Sequence, residues 1–211
     1  MALSKIDVAN MLTGTAPVAN GGTGVTTSAA LANTGNLVKI STATLSGDTS
    51  AEFDLDSTYE HFLFRLSAIH ISADTDSFKV DFSLTSDTDY GSATITYMGS
   101  RNFQSEISGI GTAGNVFNAS TGTLSEATIA NSVSADNDHA LDGTFEIFNP
   151  SNTTFTKGFR GEITYMEKDN NIIRTVTHGD IRNSTAVDKI KFLMESGNFA
   201  SGKITQYGIK I

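Results

Sequence analysis

The sequence predicts an all-β fold, an antiparallel β-sandwich behind an extended, glycine-rich N-terminal arm. Three observations predict it. Apolar residues recur with period two along segment after segment, the alternation of half-buried strands. Clusters of Ser, Asp, Asn and Gly interrupt those segments at short intervals, which marks antiparallel turns. Thr, Ile, Val and thirteen Phe dominate the larger side chains, while Glu, Gln, Arg and Lys are scarce, so composition also favours pleated surfaces over helices.

Residues 1–35 form the arm. They hold small residues, four glycines in the stretch Gly14 to Gly24, and no aromatic. Such a segment lacks the apolar surface to offset its own chain entropy. Only Ile6, Val8, Met11 and Leu12 supply a short apolar face, and the small residues Ala19, Gly21, Gly22 and Gly24 permit close approach to a neighbouring chain. Ile6, Val8, Met11, Leu12, Asn20, Gly21, Gly22 and Gly24 are the candidate contacts for oligomerisation or attachment.

The sandwich is expected from residue 36 to 211, long enough to fold without disulfides or metals. Strands are expected at 37–45 and 50–55. Phe62, Phe64 and Leu66 alternate with His61, Leu63 and Arg65, and Phe78, Val80, Phe82 and Leu84 with Ser77, Lys79, Asp81 and Ser83. Further strands are expected at 92–99, 141–148, 172–178 and 187–194. Phe159, Ile163 and Tyr165 share one face with Gly161 between them, and Arg160, Glu162 and Thr164 the other. Tyr207, Ile209 and Ile211 are expected to form the apolar face of the last strand. Residues 104–137, rich in Gly, Ser, Ala and Asn, read as a long excursion loop or ragged edge strands, and the loop reading makes them candidates for function. Turns fall at 46–48, 72–76, 86–89, 149–152, 168–171 and 196–198, the last pair, Gly197-Asn198, suiting a hairpin.

Little in the sequence carries chemistry. The chain has no Cys, so no disulfide framework and no thiolate nucleophile. His61, His70, His139 and His178 stand outside any ligand spacing, and no Gly-x-Ser-x-Gly elbow occurs. Gly109 to Gly114 has the look of a dinucleotide loop without the strand-loop-helix context that would make it one. Asp74/Asp76, Asp87/Asp89 and Asp136/Asp138 pair carboxylates on turns, a calcium-ligand type, yet no segment matches a twelve-residue calcium loop, and solvated turn residues are the preferred reading. No catalytic, cofactor or metal residue is therefore assigned. The formal net charge of −9 disfavours nucleic-acid backbones and anionic membrane surfaces, and no apolar run is long enough to span a bilayer. Met1 to Thr13 lacks the continuous apolar stretch of a secretory signal.

Two stretches carry a resemblance. Pro17-Val18-Ala19-Asn20-Gly21-Gly22-Thr23-Gly24-Val25-Thr26-Thr27 resembles the PVANGGTGATT element of bacteriophage tail-fibre proteins, with Val25 in place of Ala. The remainder resembles the jelly-roll-like domains of virion fibre and spike proteins of marine phages. The matching pieces are Asp56-Ser57-Thr58-Tyr59, Asp89-Tyr90, Gly143 to Pro150, Ala186 to Phe192, and the close from Ser196 to Ile209. The resemblance covers most of residues 14–211, is loose over 104–137, and brings no catalytic residues. It implies a jelly-roll-like sandwich and a non-enzymatic role. The expected function is a homotrimeric tail-fibre or spike component, assembled in the host cytoplasm into the virion. Its expected partners are other virion proteins of tail, neck or capsid, and a host-surface glycan. A capsid decoration or head-fibre protein is the alternative. A glycan depolymerase ranks below both, because the chain is too short for the large β-helix that usually carries that activity.

Overall fold

The computed structural model describes residues 36–74, 76–105 and 112–209, with backbone alone for 103–105 and 112–123. The chain divides into two units, Met1–Val38 and Lys39–Ile211. Among the described residues the regular structure is all strand. In order, β1 is Leu37–Leu45, β2 Ser50–Asp54, β3 His61–Ile71, β4 Asp76–Leu84, β5 Ile95–Ser105 and β6 Thr112–Leu124. β7 is Glu126–Val133, β8 Leu141–Phe148, β9 Lys157–Met166, β10 Asn171–Ile181, β11 Val187–Met194 and β12 Phe199–Ile209.

Two antiparallel sheets form a sandwich. The large sheet runs β1-β12-β3-β8-β9-β10-β5-β6, and the small one β2-β11-β4-β7. Setting aside β5-β6 and β9-β10 leaves β1-β12-β3-β8 facing β2-β11-β4-β7. That is the order of two interlocked Greek keys, a jelly roll, in which successive strands alternate between sheets except at the β4-to-β7 step, which stays within the small sheet. The two additional hairpins both join the large sheet beyond β8. They widen it to eight strands against four, so the large sheet extends past its partner.

The core is aromatic. Phe53, Phe78, Phe82 and Phe192 of the small sheet meet Phe64, Phe145, Phe159 and Phe199 of the large one. The rings lie mostly edge-to-face, at centroid separations of 5.2–6.4 Å, the spacing that ring quadrupoles favour. All eight are buried. Each is worth about 2–3 kcal/mol of apolar transfer, which is how the chain forms a core without Trp or disulfides. The predicted alternation holds in β3, β4 and β9. In β4 the opposite phase is buried as well, at Ser77, Asp81 and Ser83.

Two expectations need correction, and one choice between two readings is decided. The described residues of 104–137 are mostly strand: β6 is the edge of the large sheet and β7 the edge of the small one. The ragged-edge alternative is therefore the one that describes them, with register shifts in both ladders; small residues there read as loop because edge strands need little apolar content. The inward face of β12 is Phe199, Ile204, Gln206 and Gly208, whereas Tyr207 and Ile209 lie on the half-exposed outer face. Polar Gln206 takes the inner phase because both ends of its amide are hydrogen-bonded: Nε2 donates to the Asp54 carbonyl at 2.6 Å, and Oε1 accepts from Ser41 Oγ at 2.9 Å. Finally, Gly197-Asn198 does not close a hairpin, since β11 and β12 belong to different sheets.

Candidate functional site

The connections gather at two ends. At one end 55–60, 85–94, 149–156 and 182–186 are stitched together. Val187 N–H donates to Pro150 O, Arg182 N–H to Thr94 O, and Thr94 N–H to Asn183 Oδ1. Lys157, fully buried, donates from Nζ to the carbonyls of Asn183 at 2.7 Å and Thr185 at 2.6 Å. Burial pushes its ammonium pKa down. Phe155, 70% exposed, projects from this end, where Asn152 Oδ1 accepts the N–H groups of Thr154 and Phe155.

At the other end the acidic turns are occupied with the fold. Asp74 Oδ1 accepts the Ala135 N–H at 2.6 Å. The buried Asp76 carboxylate accepts N–H groups of Ser77, Ser196 and Gly197. The Asp74 to Asp76 turn, a carboxylate pair of calcium-ligand type by sequence, thus spends these carboxylates on backbone donors. Asp87 and Asp89, at the first end, likewise bond to Ser86, Ser92 and the Tyr90 N–H. Among the described residues no group of His, Asp and Glu is arranged to hold a metal ion.

Among the described residues, Ser134, His139 and Asp138 form a Ser–His–Asp grouping. Ser134 Oγ lies 2.9 Å from His139 Nδ1, and Asp138 Oδ1 lies 3.8 Å from His139 Nε2. Its build suits a tether rather than a nucleophile. Ser134 is 2% exposed and also accepts the Asp136 N–H at 3.2 Å. The Asp138 side chain is 90% exposed and beyond hydrogen-bond reach of the ring it would have to orient. His70 Nδ1 donates to the His139 carbonyl at 2.9 Å, so His70 fastens residues 134–140 to β3 while the His139 ring ties that segment to its own Ser134. Thr112 to Gly114, the end of the glycine-rich loop singled out by sequence, begin strand β6 rather than a helix, and 109–111 lie outside the described residues.

The outer faces of the two sheets differ. On the small sheet, register sets Glu52, Lys191, Asp81 and Glu126 in one row across four strands. The 85–94 connection covers that row: the Tyr90 ring lies 4.0 Å from Lys191 Nζ. Burial first, then the Glu52, Asp81 and Asp54 carboxylates, push the Tyr90 phenol pKa far up, and burial raises that of Asp81. These charges face their own chain.

The large sheet keeps an open face beyond β3. Register aligns Tyr207, Leu63, Glu146, Arg160, His178 and Met98 in one row across six strands. The next row runs Arg65, Thr144, Glu162, Val176 and Ser100. Glu146 accepts from Arg160 Nε at 3.0 Å and Nη2 at 2.8 Å. His61 Nε2 is 2.8 Å from the other Glu146 oxygen, without hydrogen-bond alignment. The Arg160 guanidinium lies over the Phe148 ring, whose other neighbour is the His61 ring at 4.5 Å. Glu162 accepts from Arg174 Nε at 2.8 Å. Between the rows lies a shallow depression of about 330 Å³, lined by Thr144, Glu146, Arg160, Glu162, Val176 and His178. The sequence signal for this face was the polar phase of β9 at Arg160, Glu162 and Thr164; what remained hidden was which strands flank it.

The sequence-predicted contact residues Ile6, Val8, Met11, Leu12, Asn20, Gly21, Gly22 and Gly24 lie outside the described residues. Comparison of the chain with protein-family models, with curated proteins and with solved structures gave no match.

Proposed function

We propose that this chain is a bacteriophage virion protein, a homotrimeric tail-fibre or spike component that contacts the host surface or links a receptor-binding protein to the particle. The observation that carries the reading is the Pro17 to Thr27 stretch and its resemblance to the tail-fibre element. A jelly roll with a widened sheet supports it as a rigid scaffold able to present a surface. The arm supplies the assembly function: Ile6, Val8, Met11 and Leu12 give three arms a shared apolar face around an axis, and the glycines let the backbones approach.

Antibody-labelled particles test the reading. Label at the tail or neck supports it, label over the whole shell replaces it with capsid decoration, and absence of label from particles overturns both. Multi-angle light scattering tests the trimer. A trimer for the full chain that dissociates when the chain starts at Asn36 is expected, and a monomer for both overturns the assembly role.

A further inference from the structure

We propose that the open face of the large sheet binds an uncharged saccharide chain lying across strands β8, β9 and β10, in the lane between the Glu146–Arg160–His178 row and the Thr144–Glu162–Val176 row. The inference rests on the proposed attachment function only for the source of the ligand, a host-surface glycan. The site follows from the arrangement of side chains.

The first argument is preorganisation. Glu146 is held by Arg160 and by contact with His61, Arg160 is laid over Phe148, and Glu162 is tied to Arg174. Polar groups fixed before binding spare the ligand the entropic cost of ordering them. The second is charge. Glu146 and Arg160 stand in the first row and Glu162 in the second, with Arg174 one row beyond pairing Glu162, so each carboxylate is matched by a guanidinium. A sugar hydroxyl both donates and accepts, and adjacent hydroxyls match such a pattern. A carboxylated or phosphorylated glycan would instead meet Glu146 and Glu162 and a chain of net charge −9. The third is shape. Val176 gives the lane an apolar patch for the C–H face of a ring, and the depression is shallow, at the lower limit of small-molecule sites. Strands step sideways by about 4.8 Å, close to the advance per residue of an extended pyranose chain. Successive sugars can therefore meet successive strands.

Saturation-transfer NMR on the full chain tests this with cellobiose, lactose and maltose as neutral probes and digalacturonate as the anionic one, each at millimolar concentration. Transfer to at least one neutral disaccharide, weakened about tenfold or more in both Arg160→Ala and Thr144→Val, is expected; tenfold corresponds to about 1.4 kcal/mol, one lost hydrogen bond to a ligand. Thr144→Val keeps side-chain volume and so separates binding from folding. No transfer to any neutral probe, transfer unchanged in both variants, or stronger transfer to digalacturonate overturns the proposal. Disaccharide binding by a protein that labels the whole shell would leave the lane standing and sink the fibre reading. A tail-located protein that ignores all three neutral probes would sink the lane alone.

Discussion

The Asp76 carboxylate accepts the backbone N–H of Gly197 at 2.6 Å across 121 residues of chain. The same carboxylate takes the Ser196 and Ser77 N–H groups at 3.1 and 2.8 Å. One buried side chain thus satisfies three backbone donors where β11 crosses from the small sheet to β12 in the large one. Asp76→Ala leaves those donors without their acceptor and is expected to cost about 3 kcal/mol. Gly197→Ala attacks the same contact from the other side, because a Cβ there would sit 2.6 Å from Asp76 Oδ2. Urea unfolding of both variants and of the double variant checks the shared origin. The double variant should fall well short of the sum of the two losses.

Gly208 faces the core side of β12, where the Tyr59 ring occupies the space a Cβ would take. Gly208→Ala is expected to destabilise by about 1–3 kcal/mol through overpacking. Tyr59→Ala in the same chain should recover much of that loss, since the clash is with this ring. A double-mutant cycle by thermal unfolding measures the coupling, and additive losses would remove Tyr59 as the cause.

Much of this architecture was legible before any coordinates, and the exceptions have physical causes. The β3 and β4 phases were readable because Phe62, Phe64, Phe78 and Phe82 are bulky and in strict alternation. The β12 face was misread because Gln206, a polar residue, is inside, and Tyr207, an aromatic, is outside. A local pattern contains neither Asp54 nor Ser41, the groups that satisfy the glutamine. The bulge around Ser201 and Gly202 further shifts the phase of that strand. The open face of the large sheet needed the order β8-β9-β10, a non-local fact. Arg160 and Glu162 could be placed on one face, but not Glu146 and His178 beside them.

Ala68 sits in the same bulged region with φ at +49°, a left-handed conformation that costs an L-residue with a Cβ about 1 kcal/mol or more. Its N–H is held by Asp142 Oδ1 at 2.8 Å, which keeps the backbone in that conformation. Ala68→Gly is expected to stabilise the protein by up to about 1 kcal/mol, the relief of strain being partly offset by the greater freedom of glycine in the unfolded chain. Asp142→Ala should lower stability. Denaturant midpoints decide, and a destabilised Ala68→Gly would mean that the side chain packs usefully where it stands.

Lys157 yields a pH-dependent prediction whose sign is fixed by its surroundings. Burial lowers its pKa below the ordinary lysine value of 10.5. The folded chain therefore loses this proton at lower pH than the unfolded chain does. Between the two pKa values the unfolded state binds more protons, so stability rises with pH across that window. Below the folded pKa the burial penalty is present in full, offset by the bonds to Asn183 O and Thr185 O. Lys157→Met removes the titration and leaves those two carbonyls without their donor. Unfolding free energies measured from neutral pH to pH 10.5 should show the native chain gaining stability relative to Lys157→Met as pH rises. A difference independent of pH would mean that the ammonium is as well solvated by its two carbonyls as by water. A native chain losing ground instead would mean that an anionic partner raises its pKa.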